Sequence, residues 1–247
     1  QRMFHVIAGD GGFLEAPVET DMLLVNPGER YEVLVDFSDG LPAILKSVQE
    51  RGKEHIPSFF DFRPGATRAT QGTEFTAIQG EQTICTFEVN VDIPADPDAR
   101  IPSRMNTIDW FDPAEVRVTR HFKMVTNGMS INGKKMDMKR IDERVVQGVV
   151  ERWVLEGDLH NFHAHGCSFQ VDSVNGKAPP AYMRSWKDTV ITNDRSSFIV
   201  RFDYLASDAF PYMMHCHLLE HEDMGMMGQF TVHPAGPQDG SHRMQIG

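Results

Sequence analysis

Six of the eleven histidines fall in two short clusters. The first reads His160-Asn161-Phe162-His163-Ala164-His165-Gly166. The second reads His215-Cys216-His217-Leu218-Leu219-Glu220-His221-Glu222-Asp223-Met224-Gly225-Met226. Imidazole and thiolate are the side chains that bind soft and borderline transition metals, so their spacing defines candidate metal sites. Side chains alternate faces along a strand, which sends His163 and His165 to one side and His160, an odd number of residues away, to the other. The same parity separates His215 and His217 from Cys216. With the two strands side by side, four histidines face one space. A thiolate and a fifth histidine face another, with His221 and Met226 following on a turn. Two His and one Cys with a weak axial Met form the ligand field of a blue-copper electron-transfer centre, and His160, Cys216, His221 and Met226 supply that set. The four-histidine side suits a copper that meets oxygen. Because both neighbours of Cys216 are histidines, the strand itself is a covalent electron path from one group to the other.

The elements that must position these residues are strands. Tyr31, Val33, Val35 and Phe37 alternate with Glu32, Leu34 and Asp36, and Phe198, Val200 and Phe202 alternate with Ile199, Arg201 and Asp203. Asn26-Pro27-Gly28-Glu29, Asn127-Gly128, Asn132-Gly133 and Asn175-Gly176 punctuate them as turns, and no helical period outlasts two turns. The expected class is all-β, a sandwich or barrel. A proline- and aspartate-rich stretch, Asp92-Ile93-Pro94-Ala95-Asp96-Pro97 onward, reads as a linker over 92–106. It divides a region 1–91, with too few strands for a complete sandwich, from a domain 107–247 whose end, from Pro234, reads as a loose tail. The first residues already alternate like a strand, so the chain is expected to begin inside a domain.

Composition narrows the function classes. Lys+Arg 24 against Asp+Glu 35 gives a net charge of −11, which argues against nucleic acid or an anionic membrane as the main partner. No run approaches the roughly 18 apolar residues of a membrane helix. Three cysteines, Cys85, Cys167 and Cys216, are too few for a disulfide framework, and Cys85 and Cys167 are expected to be buried free thiols.

The second cluster resembles the last copper motif of the multicopper oxidases, and the first is similar to their HPxHxHG motif, most of all in the bacterial periplasmic cuprous oxidase and laccase branch. The likeness continues through Asp10-Gly11-Gly12, the stretch from Pro27 to Phe37, Glu151-Arg152-Trp153 and Trp186-Lys187-Asp188-Thr189-Val190. It implies cupredoxin-like Greek-key sandwiches, here the later part of a second domain and all of a third. It also implies type 1 copper on His160, Cys216, His221 and Met226, type 2 copper on His163, and a type 3 pair on His165, His215 and His217. The complete enzyme would oxidise phenols, metal ions or Cu(I) by single electrons and reduce O2 to water with four coppers, in the periplasm. Four of the eight cluster histidines come in that family from two His-x-His pairs of a first domain, a pattern this chain lacks before residue 163. The resemblance therefore implies that the N-terminal domain, as another chain or a missing segment, supplies them. The alternative is a single type 1 copper module for electron transfer or copper binding, without O2 reduction.

Further residues have narrower expectations. Glu222 follows a ligand histidine and, by the resemblance, relays protons to the oxygen site; the plainer reading is a carboxylate partner of a ligand histidine. Asn161 stands where the family has proline and is expected to loosen a turn after His160. Met124, Met129, Met136, Met138, Met213, Met214, Met224 and Met227 offer thioethers to cuprous ions or simply fill the core. The family's Met- and His-rich insertion is missing between Trp110 and His160, which favours a broad laccase-like role. Asp112 and Asp158 are candidates for binding an incoming cation, and Asp188 for orienting a phenol or a ligand histidine, with a structural role at a strand end as its equally weighted plainer reading.

Overall fold

The computed structural model describes residues 2–49, 80–90, 96 and 98–236. Most of the linker's first part, the tail from Pro237, and His55 and His242 lie outside the described residues. Strands dominate, as the alternation predicts. β1 (Phe4–Gly9), β2 (Gly12–Thr20) and β3 (Glu32–Val35) form one antiparallel sheet in the order β2-β1-β3, and β4 (Ala43–Gln49) pairs with β5 (Gly80–Phe87) in a second.

The third sheet contains β6 (Val118–Val125), β7 (Ser130–Ile131), β8 (Glu143–Val146), β9 (Val150–Ala164) and β10 (Phe169–Ser173). It continues with β11 (Trp186–Lys187), β12 (Thr189–Arg201), β13 (Tyr212–Cys216) and β14 (Met227–His233). Its main order is β11-β10-β12-β9-β13-β14-β8, with β6 beside β9. The Asn132-Gly133 and Asn175-Gly176 turns take positive φ at both residues, 52° and 73° in one and 50° and 72° in the other. That mirror-image turn matches the twist of the strands it joins, and asparagine and glycine tolerate it best.

Trp153 of β9 is the centre of the core. Its ring lies 4.7 Å from Phe122, 5.5 Å from Phe202 and Phe230 and 5.7 Å from Phe198, centroid to centroid. Its indole N–H donates to Glu151 at 2.8 Å, so the polar end of the ring is satisfied as well. Val6 of β1 and Leu14 of β2 belong to the same buried cluster. Residues 105–110 lie along β2, with the Met105 amide donating to the Glu15 carbonyl at 2.9 Å and the Trp110 indole to the Glu15 carboxylate at 3.3 Å.

Three expectations are corrected. Val33 and Leu34 are both 41% exposed, so β3 has no cleanly buried face among the described residues. Cys85 is exposed on β5 rather than buried. No turn follows His160: β9 continues through Asn161 to Ala164, and Asn161 is buried, donating from its amide to the Pro27 carbonyl. No helix among the described residues is long and apolar enough to cross a membrane.

Candidate metal centres

One irregularity sets which side chains share a face. In the β9–β12 ladder Thr192 pairs with His160 but Asp194 pairs with Gly157, so β9 carries one extra residue there, a β-bulge. Gly157 has φ 148°, and a Cβ on it would collide with the Met124 carbonyl, so glycine is required. Upstream of the bulge Trp153 and Leu155 face the core; downstream the core side is taken by His160, Phe162 and Ala164. On β13, Cys216 pairs with Phe162 and His215 with His163. Cys216 therefore shares the face of His160, and His215 that of His163 and His165.

On the buried face, Cys216 Sγ lies 3.7 Å from His160 Nδ1 and 3.6 Å from His221 Nδ1, and the two Nδ1 atoms are 3.1 Å apart. His221 stands on a short helix, α1 (Leu219–Asp223), rather than on a turn. The Met226 amide donates to the His221 carbonyl at 2.9 Å, and its carbonyl accepts from the Cys216 amide at 3.0 Å. Met226, fully buried, is thus tied to both neighbours by its backbone. Burial, reinforced by His221, pushes the His160 pKa down to about 3, and burial raises the Cys216 thiol to about 11. The donor chemistry fits a soft, imidazole-binding ion. A point equidistant from the three atoms lies about 2 Å from each, the length of a metal–imidazole bond.

On the opposite face, ligand atoms of His163, His165 and His215 lie within 4.8 Å of one another. His165 Nε2 and His215 Nε2 are 3.3 Å apart. The His163 Nδ1 atom sits 2.8 Å from the Asp188 carbonyl, and His215 Nδ1 sits 3.1 Å from the Cys216 carbonyl and 3.2 Å from Glu222 Oε2. A carbonyl oxygen only accepts, so Nδ1 of both rings carries the proton and Nε2 keeps its lone pair for the shared space. Burial first, then the neighbouring imidazoles, lower the His165 pKa to about 4. Imidazoles turned towards one shared space fit copper or a similar ion.

His217 stands beside this group, its ring 5.4 Å from His215 and 5.5 Å from His163. A Cβ on Gly28, whose φ is 85°, would collide with that ring. The loop containing Gly28 is therefore pressed against His217, a relation that sequence spacing does not reveal.

Asp188 is the bend between β11 and β12 and accepts a two-pronged bond from Arg30, at 2.6 and 2.7 Å. Burial alone would raise its pKa, but the bonds from Arg30, His163 and Thr189 outweigh burial and hold it well below the carboxylate range. Asp188 thus lies against a histidine and also ties down a strand end, a position compatible with both its orienting and its structural reading. Asp112 caps a short 3-10 helix by accepting from the Ala114 amide at 2.8 Å, and the Asp158 side chain lies outside what is described. Met124, Met129 and Met214 are core residues, whereas Met138 and Met224 are exposed.

A sequence profile of the multicopper oxidase family matches residues 107–236. The chain is 33% identical over 235 residues to the cell division protein FtsP of Sodalis glossinidius, covering 94% of this chain and 46% of that protein. It is 32% identical to FtsP of Escherichia coli, covering 94% and 47%. Among solved structures, the laccase-like multicopper oxidase CueO of a lignin-degrading Ochrobactrum species is 34% identical. It superposes with a TM-score of 0.76 over 94% of this chain and 50% of that one. McoA of Aquifex aeolicus, also a multicopper oxidase, is 25% identical with a TM-score of 0.72 over 94% and 50%. The chain spans about half the length of these relatives.

Proposed function

The chain belongs to the multicopper oxidase family, and on that footing we propose that it forms the electron-accepting half of an oxygen-dependent oxidase. The observation that carries this reading is the pair of donor groups on opposite faces of β9 and β13, joined through the consecutive residues His215 and Cys216. His160, Cys216 and His221, with Met226 alongside, would hold a type 1 copper. His163 would hold a type 2 copper, and His165, His215 and His217 part of a type 3 pair. Copper in such sites supplies one-electron oxidation of a donor on the cysteine side and reduction of O2 to water on the histidine side.

The chain's own residues do the positioning. His215 and His217 flank Cys216 directly, so the covalent route from Sγ to either imidazole is backbone. Glu222 is partly exposed and 3.2 Å from His215 Nδ1, where it can exchange protons between solvent and the histidine side. Four more histidines, from a further domain of the same polypeptide or a second chain, would complete the oxygen site. Phenols, metal ions or Cu(I) would be the electron donors. The family resemblance supports a periplasmic setting.

The test is copper loading of the complete polypeptide, followed by elemental analysis and oxygen uptake with a phenol and with Cu(I). About four coppers and donor-dependent uptake are the expected result; uptake at the buffer rate in fully loaded protein would overturn it. The name of the FtsP relatives favours a second reading, a copper-bearing protein of the cell-division machinery that does not reduce O2. One copper with the blue absorption and no oxygen uptake would support that reading.

A further inference from the structure

We propose that Arg30 and Asp10 are positioning residues for the histidine side: through Asp188 they fix the peptide that orients His163, so the loop 26–30 governs copper uptake there. This rests on the preceding reading, in which His163 is a copper ligand. The Asp188 carbonyl accepts from His163 Nδ1 at 2.8 Å and from the Ala164 amide at 3.3 Å. Yet Asp188 belongs to neither β11 nor β12, and a bend between strands needs other bonds to hold it.

Those bonds come from the N-terminal region. Arg30 forks onto both Asp188 carboxylate oxygens, while the same two terminal nitrogens also reach the Gly28 carbonyl at 2.9 Å and the Asp10 carbonyl at 3.0 Å. A planar guanidinium bound at four points cannot rotate, so the fork transmits the position of the loop to the bend. Asp10, its side chain fully buried, accepts from the Arg30 amide at 2.7 Å, the Asp188 amide at 3.3 Å and Lys187 Nζ at 3.0 Å. One carboxylate thereby clips the loop to the bend from behind. Lys187 is also held by Glu29 at 3.2 Å. Asp10, Glu29 and Asp188 thus meet Lys187 and Arg30 in one contiguous network behind the bend. The same loop meets His217 at Gly28 and Asn161 at Pro27, so three residues around the histidine side depend on it.

The experiment is copper titration of the complete polypeptide against a competing chelator, with the blue absorption of the Cys216 centre followed in parallel. Arg30→Gln is expected to weaken uptake on the histidine side by about 10- to 100-fold, the usual loss when an outer partner of a metal ligand is removed. The Cys216 absorption should remain unchanged. Arg30→Lys should recover only part, because an ammonium keeps the charge but not the fork. In the copper-free protein the His163 Nδ1 proton, followed by NMR, should exchange faster in Arg30→Gln. Unchanged histidine-side uptake in Arg30→Gln would overturn the proposal, and so would an equal loss at both centres, which marks general destabilisation. A wild-type protein that takes no copper on the histidine side would remove the underlying reading and this inference together.

Discussion

His160 and His221 present the same ring nitrogen, Nδ1, to each other at 3.1 Å, whereas His165 and His215 meet through Nε2 at 3.3 Å. The two faces of one strand pair thus use opposite ends of the imidazole. The difference follows from the outer bonds: backbone carbonyls occupy Nδ1 of His163 and His215, while Thr126 approaches His160 from the Nε2 side at 3.4 Å.

Replacing the sulfur separates the two centres. Cys216→Ser is expected to abolish the blue absorption, since a hydroxyl gives no thiolate-to-copper charge transfer, and to stop donor oxidation. His165→Ala should keep the colour while reducing copper content and oxygen uptake. Visible absorption and elemental analysis on the same samples check both; blue colour in Cys216→Ser would refute the ligand assignment.

Acid should destabilise the copper-free chain. His160 falls from 6.5 to about 3 on folding and His165 to about 4, so the unfolded state binds more protons between those values and 6.5. Stability is therefore full above pH 6.5 and falls as pH drops towards 4, by at most about 1.4 kcal/mol per pH unit for His160. Thermal unfolding from pH 8 to pH 4 measures it, and His160→Gln should flatten the profile.

Copper binding at the cysteine centre should release one proton. The Cys216 thiol is raised to about 11 by burial and stays protonated at neutral pH without metal, yet only the thiolate binds. Between pH 7 and 9 the apparent affinity should rise about tenfold per pH unit. Chelator competition at several pH values gives the slope; a slope of zero would mean that a preformed thiolate is present.

Gly28→Ala should cost about 1–2 kcal/mol from its left-handed backbone alone and push His217 from its place. Lower oxygen uptake with the blue absorption intact is the expected pattern. Calorimetry and an oxygen electrode distinguish the two effects.

Met226→Leu keeps the buried volume and should change stability by less than about 1.5 kcal/mol. Loss of the thioether should raise the reduction potential of the Cys216 centre, because the axial donor favours the oxidised ion. A redox titration that finds no change would place Met226 outside the coordination sphere.

Much of this was legible from residue order. Parity alone separates Cys216 and His160 from His163, His165, His215 and His217, since register pairs Cys216 with Phe162 and both segments are extended. Asn-Gly spellings at 132 and 175 gave the tight turns. What spacing could not reveal lies across long separations. Arg30 and Asp188 are 158 residues apart and meet only because the loop after β2 folds over the end of β12. Asp10, Arg30 and Gly28 sat inside stretches that resembled the family, but nothing local marked them as neighbours of the histidines. Cys85 differs from expectation because, among the described residues, its strand pairs with β4 alone and leaves the thiol exposed.

The bulge after Gly157 also makes β9 a strand of two phases. Its upstream half answers to the packing around Trp153 and its downstream half to the donors, and one extra residue sets the offset between them. Deleting a residue between Gly157 and His160 would leave Trp153 in register, turn Phe162 out of the core and exchange the inward and outward imidazoles along the rest of the strand. The metal chemistry of this chain is therefore specified by a count of residues as much as by their identity, and a single-codon deletion here would do more harm than most substitutions at the ligands.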